Sequence, residues 1–205
     1  MSRSDGNLYK AINRLADRTS WAHGAVRLYA QVGVVVFAVL LLAAWWLGRT
    51  STTPIQSVAK AVWAGTGALL ALAINQPIGS AINRARPYTT IANMHLLVDK
   101  TKDFSFPSDH ATIAGAVAAG VLLVNRRLGV VAMVAALAMA FARVYVGAHY
   151  PGDVAAGLVL GATVTVVLSG LGLRIVEPVL HVLSKTPLRP LISAERRSET
   201  KLIRS

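Results

Sequence analysis

The chain has 205 residues, of which 54% are hydrophobic and 15% charged, against about 25% charged in an ordinary soluble domain. It holds no cysteine, which excludes disulfides, thiolate metal sites and cysteine nucleophiles. The net charge is +12, but no stretch interleaves basic and aromatic residues as a nucleic-acid groove does, so the basic residues read as lipid-headgroup contacts and no nucleic-acid partner is expected.

The first 25 residues lack a charged start, apolar run and small-residue cleavage site in that order, so no removable signal peptide is expected. Asn7 to Trp21 reads as an amphipathic helix, with Leu8, Ile12 and Leu15 on one face and Lys10, Asn13, Arg14, Asp17 and Arg18 facing away. It is too polar to span a bilayer and is expected to lie in the interface over residues 7–22. From Leu28 to Leu173 only 13 of 146 positions are charged, which marks the centre of the chain as membrane-embedded.

The first span is predicted at 28–47, closed by Trp45, Trp46 and Arg49 as an interfacial belt. The second runs over 61–82, with Asn75, Gln76, Pro77 and Ser80 in its last third. Pro77 is expected to kink it, and Asn75 and Gln76 read either as partners for that kink or as site residues. A polar loop over 83–106 follows, and a loop of such length is usually functional or disordered.

The remaining spans are predicted at 108–124, 128–146 and 154–173, with Asn125-Arg126-Arg127 as a tight turn. A second interfacial helix is expected up to Leu183, and the tail from Lys185 to Ser205 reads as basic and mobile. The expected fold is all-α. It is an integral membrane helical bundle of about five transmembrane helices plus interfacial N- and C-terminal helices, forming one domain over 1–184.

This topology puts 11 of the 21 Lys and Arg on the tail side and 10 on the loop side. Setting Arg86 and Arg143 aside for chemistry leaves 11 against 8, so the positive-inside rule sends the tail to the cytoplasm and the polar loop outside.

Three polar clusters fall on that outer side. Arg86-Pro87 lies just past the second span, Pro107-Ser108-Asp109-His110 opens the third, and Arg143, His149 and Asp153 bridge the fourth and fifth. An antiparallel bundle brings alternate span ends together, so all three can meet at one depth. Ionisable residues are expensive there and mark function by default.

The chemistry these residues suit is phosphoryl transfer. Arg86 and Arg143 offer planar forks that match phosphate oxygens, and Ser108 sits where a helix N-cap would open an anion site. A neutral imidazole can attack phosphorus while a second donates a proton to the leaving oxygen. His149 and Asp153 are four residues apart, so a carboxylate one helical turn on can orient the attacking ring. That makes His149 the expected nucleophile, Asp153 its orienter and His110 the acid. His110, His149 and Asp153 could alternatively hold a metal, but phosphatase metal sites usually gather more carboxylates than Asp109 and Asp153 supply. No metal and no cofactor are therefore expected. His23, His95 and His181 read as headgroup contacts.

On these residues the chain resembles the type 2 phosphatidic acid phosphatase (PAP2) superfamily of integral membrane lipid phosphatases. Its Pro-Ser-x-His motif is matched by Pro107, Ser108 and His110, and its Arg-x5-His-x3-Asp motif by Arg143, His149 and Asp153. Its Lys-x6-Arg-Pro motif is matched only by Arg86-Pro87, since Gly79 stands at the Lys position. With Asp109 inside the second motif, the pattern is most similar to the bacitracin-resistance branch of undecaprenyl-diphosphatases.

The resemblance implies attack by His149, support by Asp153 and protonation by His110. Arg86, Ser108 and Arg143 would bind phosphate without a metal. It also implies a polyprenyl diphosphate or another lipid phosphate as substrate, the bilayer as partner, and a bacterial plasma membrane with an extracytoplasmic active site. The absent lysine is expected to be replaced by Arg84 or Gln76. Asp109 is expected to pair with an arginine or to help select a diphosphate.

Overall fold

A computed structural model of the chain describes residues 3–194, and every regular element among them is helical. The order is α1 (Arg3–Arg18), a 3-10 turn (Ser20–Ala22), α2 (His23–Val32), α3 (Val34–Arg49), α4 (Pro54–Ile82), α5 (Pro87–Thr90), α6 (Asp109–Val124), α7 (Arg126–Tyr145), α8 (Pro151–Val167), α9 (Ser169–Leu183) and α10 (Arg189–Ile192).

The centre is α6, which packs against α4, α7 and α8 and is buried from Ala114 to Val121. Small residues make that possible. A Cβ at Gly161 of α8 would stand 2.0 Å from the Thr112 carbonyl oxygen, and one at Gly115 of α6 would stand 2.3 Å from that of Leu158. Packing without side chains at these points brings the α6 and α8 backbones into contact, which is how helices associate where no hydrophobic force separates protein from lipid. Trp63 Nε1 donates to the Thr165 carbonyl at 2.9 Å and ties α4 to α8.

The outer face is apolar. Val39, Leu42, Leu69, Val130, Val134, Val159 and Val167 are all exposed, a surface suited to hydrocarbon. By length and composition, the helical stretch from Pro54 to Thr90 and α7 are each able to cross a bilayer. The α2–α3 pair, bent by 60°, and the α8–α9 pair, bent by 55°, pass the same test as broken spans. At 16 residues, α6 is a shorter apolar helix.

Several boundaries differ from the sequence reading. The predicted first span is divided at Gly33, where a Cβ would meet the Met139 side chain at 2.6 Å. The predicted turn at 125–127 shrinks to Asn125, whose side chain caps α7 by accepting from the Leu128 amide at 3.0 Å. The helix α4 starts at Pro54 and continues through Pro77. The predicted tail is docked as far as Ala194: Trp45 Nε1 donates to the Leu191 carbonyl, and the Ala194 amide donates to that of Arg49. The rest of that tail lies outside the described residues.

The largest correction concerns α1. It begins at Arg3, and its buried stripe is Tyr9, Asn13 and Ala16, while Leu8 and Leu15 are exposed. Asn13, expected to face away, is 1% exposed. Its amide donates to the carbonyls of His95 and Tyr145, and its oxygen accepts from the His95 amide. Asn13 turns inward because loop carbonyls that need donors lie under that face.

Candidate active site

The site forms where α6, α7 and α8 meet the 83–107 loop. After α7 the chain turns sharply around the Arg143 carbonyl, which accepts from the amides of Ala148 and His149. Gly147 makes the turn possible with φ +84°, and a Cβ there would lie 2.4 Å from the His95 carbonyl. The result folds His149 back into the protein, 2% exposed.

The His149 ring is held at both nitrogens. Nδ1 lies 2.8 Å from the Ser105 carbonyl oxygen. A carbonyl only accepts, so Nδ1 carries the proton and Nε2 presents its lone pair. Nε2 faces Arg86 Nη1 and Arg143 Nη2, each at 3.3 Å. Burial holds His149 below the ordinary imidazole value, and the charges of Arg143 and Arg86 reinforce it against the opposing pull of Asp153. The ring is therefore neutral, with its unprotonated nitrogen between two cations.

Both arginines are fixed by other bonds. Arg143 is 8% exposed, and its Nη1 donates to the Ala30 carbonyl of α2 at 3.0 Å. Arg86 is 6% exposed. It donates to the carbonyl of Ala148 and pairs at 3.0 Å with the carboxylate of Asp103. Thr101 and Arg86 hold that carboxyl below the usual range despite the opposing effect of partial burial.

A cavity of about 290 Å³ opens over this pair. Arg86, Asp109, His110, Arg143 and His149 line it, so five of the predicted site residues share one chamber. The others stand around it. Asp153 is fully buried, with its Oδ2 3.8 Å from His149 Nδ1, too far for the predicted direct hydrogen bond. It accepts instead from the Ser105 hydroxyl at 2.5 Å and from the Tyr150 amide at 2.9 Å. Ser105, which the sequence reading passed over, thus joins the two.

Ser108 is the N-cap of α6, and its amide donates to the Asp153 carbonyl at 3.1 Å. Its hydroxyl is buried without a hydrogen-bond partner and does not line the cavity. Arg84 does not take the place of the absent lysine, because its two terminal nitrogens are bound to Asp5 and Asp153. Gln76 and Asn75 both donate to Asp109 Oδ1, at 3.1 and 2.6 Å. Asp109 is therefore held by two amides and not by the arginine expected for it. Gly79 faces the loop, and a Cβ there would come within 3.2 Å of the Phe106 carbonyl oxygen.

Asp5 and Asp103 were also missed as site residues. A carboxylate near a helix start or in a polar loop carries no local signature, so nothing in the sequence separates them from solvated charges. Among the described residues no three His, Cys, Asp or Glu side chains gather closely enough to hold a metal ion.

The comparisons with known proteins bear on the same segments. The undecaprenyl-diphosphatase BcrC of Bacillus subtilis is 31% identical over 195 residues, covering 88% of this chain and 95% of that protein. The decaprenylphosphoryl-5-phosphoribose phosphatase of Mycobacterium tuberculosis is 41% identical over 111 residues, covering 53% of this chain and 59% of that one. The crystal structure of Aquifex aeolicus LpxE superposes with a TM-score of 0.61 at 20% identity, over 80% of this chain and 93% of that one. Residues 60–174, which hold the helices that converge on His149, match the PAP2 superfamily model. With that match spanning more than half of its length, this membrane protein belongs to the PAP2 superfamily.

Proposed function

We propose that the protein is a lipid phosphatase that removes the terminal phosphate of a polyprenyl diphosphate of the undecaprenyl type, through a phosphohistidine at His149. The observation that carries this reading is the Nε2 lone pair of His149, held at 3.3 Å from Arg86 and Arg143 in a cavity shared with His110. A phosphoryl group placed there meets its nucleophile and two planar donors together.

In the first step Nε2 forms a bond to the terminal phosphorus and the bridging P–O bond breaks. His110 gives its proton to the departing oxygen of the prenyl monophosphate. Water then attacks the phosphohistidine, its proton passes to His110, and inorganic phosphate leaves with Nε2 restored. Arg86 and Arg143 stabilise the charge on the equatorial oxygens throughout. Neither step calls on a metal. The substrate class is supported by the similarity to undecaprenyl-diphosphatase BcrC along almost the whole chain. Release of recycled lipid carrier for cell-wall synthesis, on the extracytoplasmic side of a bacterial plasma membrane, fits the same reading.

The test is turnover of a C55-type diphosphate by the purified protein in detergent. His149→Ala is expected to abolish it, and full turnover in excess chelator is expected for the native chain. Retained activity in the first case, or loss in the second, overturns the mechanism.

A second substrate reading has its own support. The 41% identity to decaprenylphosphoryl-5-phosphoribose phosphatase makes a prenyl-phosphoryl sugar phosphate the alternative, with phosphatidylglycerophosphate and phosphatidate as further lipid phosphates for the same panel. Faster turnover of any of these than of the diphosphate would replace the specific assignment and leave the chemistry in place.

A further inference from the structure

We infer that Asp5 and Arg84 are positioning residues for the nucleophile, so that the N-terminal helix α1 completes the catalytic machinery. The inference deepens the reading of His149 as nucleophile and rests on it.

The starting point is Asp153. It is fully buried, and a buried carboxylate needs both a counter-charge and its lone pairs filled. Ser105 and the Tyr150 amide fill Oδ2. The counter-charge comes from Arg84, whose Nη1 donates to Oδ1 at 2.5 Å, because His149 is neutral and 3.8 Å away.

Arg84 is itself held from three directions. Its guanidinium carbon lies 4.1 Å from the centroid of the Tyr150 ring. Its Nη2 donates to Asp5 Oδ2 at 2.5 Å. Asp5 Oδ1 in turn accepts from the Gly152 amide at 2.8 Å, in the first turn of α8, where free amides and the helix dipole favour a carboxylate. Gly152 admits it, since a Cβ there would stand 3.1 Å from the Asp5 carboxylate.

A continuous path results: Asp5, Arg84, Asp153, Ser105, His149. Ser105 links the carboxylate to the ring through two different atoms. Its hydroxyl is anchored by Asp153 while its carbonyl sets the His149 tautomer. Arg84 and Asp5 line a different cavity from the one holding His149. Their effect on turnover therefore passes through Asp153.

The docking of α1 is built to sustain this. The Tyr9 ring packs tilted against that of Tyr150 with centroids 5.4 Å apart, and Asn13 binds the loop and the end of α7. These contacts keep the helix in place when the Asp5 charge is removed.

The experiment measures kcat and KM for a polyprenyl diphosphate with purified Arg84→Gln, Arg84→Lys, Asp5→Asn and the Asp5→Asn/Arg84→Gln double variant. Lys10→Gln, an exposed change on the same helix, and His149→Ala are the controls. Arg84→Gln is expected to lower kcat by about 10–100-fold, the range for loss of an orienting partner, with KM within about twofold. Arg84→Lys is expected to recover part of that loss. Asp5→Asn is expected to lower kcat by about 3–10-fold, and the double variant to fall no further than Arg84→Gln, because both act through one link.

Asp5→Asn keeps the size of the side chain and serves if Arg84→Gln does not fold. Unchanged kcat in Asp5→Asn beside an inactive His149→Ala overturns this inference alone. So does a loss confined to KM, or full additivity. Turnover by His149→Ala overturns the catalytic reading and this inference with it.

Discussion

The His149 ring takes its orientation from a backbone atom of Ser105, not from the carboxylate of Asp153. Nδ1 is 2.8 Å from the Ser105 carbonyl and 3.8 Å from Asp153 Oδ2. The carboxylate acts one bond further back, through the Ser105 hydroxyl. Ser105→Ala removes that hydroxyl and keeps the carbonyl, so kcat should fall by about 10–100-fold, as expected when Arg84 is lost from the same path. Asp153→Asn leaves the half-buried Arg84 beside a neutral amide and should cost about 10–100-fold or more. Steady-state turnover of the two variants decides it, and wild-type turnover in Ser105→Ala beside a loss in Asp153→Asn would place the orienting bond on Asp153 directly.

The pH dependence follows from the depressed value of His149. A group whose proton is bound less tightly stays neutral to lower pH. The acidic limb of kcat/KM, on which His149 gains a proton, should therefore lie below the ordinary imidazole range, about 6.5. Burial comes first among the causes and the Arg143 and Arg86 charges add to it. A pH–rate profile whose acidic midpoint lies at or above that range would contradict a neutral buried nucleophile.

Under the proposed reading, Asp103 would compete with phosphate for Arg86. Its carboxylate lies 3.0 Å from Arg86 Nη2, and its side chain is 56% exposed at the cavity wall. Asp103→Asn keeps an acceptor for the guanidinium and removes the negative charge. Inhibition by inorganic phosphate should tighten by about 2–5-fold, the size expected for one screened charge. A Ki that rises instead would show that Asp103 is needed to aim the Arg86 fork.

What the sequence disclosed and what it withheld divide along physical lines. Arg86, Asp109, His110, Arg143 and His149 were legible because a bilayer makes charged residues at span ends conspicuous, and all five reach one cavity. Arg84 was legible as a cation but not in its role, since nothing in its spacing shows that two carboxylates from distant segments bind it. Asn13 was misplaced because an amphipathic pattern counts apolar residues, whereas the buried face of α1 is chosen by loop carbonyls in need of donors. Ser105 had no signal, because half of its contribution is a main-chain oxygen. The break at Gly33 was equally silent, as 20 residues with Gln31 their one polar member read alike whether straight or bent.

The close approach of α6 and α8 sets the geometry from behind. Gly157 faces the first turn of α6, where a Cβ would stand 2.6 Å from the Ser108 carbonyl oxygen, and Gly161 lies one turn further on against Thr112. A methyl at either position forces the helices apart, because the opposing atoms are backbone and cannot rotate away. Gly161→Ala should destabilise the protein by about 1–3 kcal/mol, seen as a lower thermal midpoint in detergent. Gly157→Ala should do so too, and should also reduce kcat, because Ser108 donates its amide to the Asp153 carbonyl and Asp109 and His110 follow on the same turn. Equal midpoints for both variants with a selective loss of turnover in Gly157→Ala are the expected pattern. Wild-type turnover in Gly157→Ala would separate the α6–α8 spacing from catalysis.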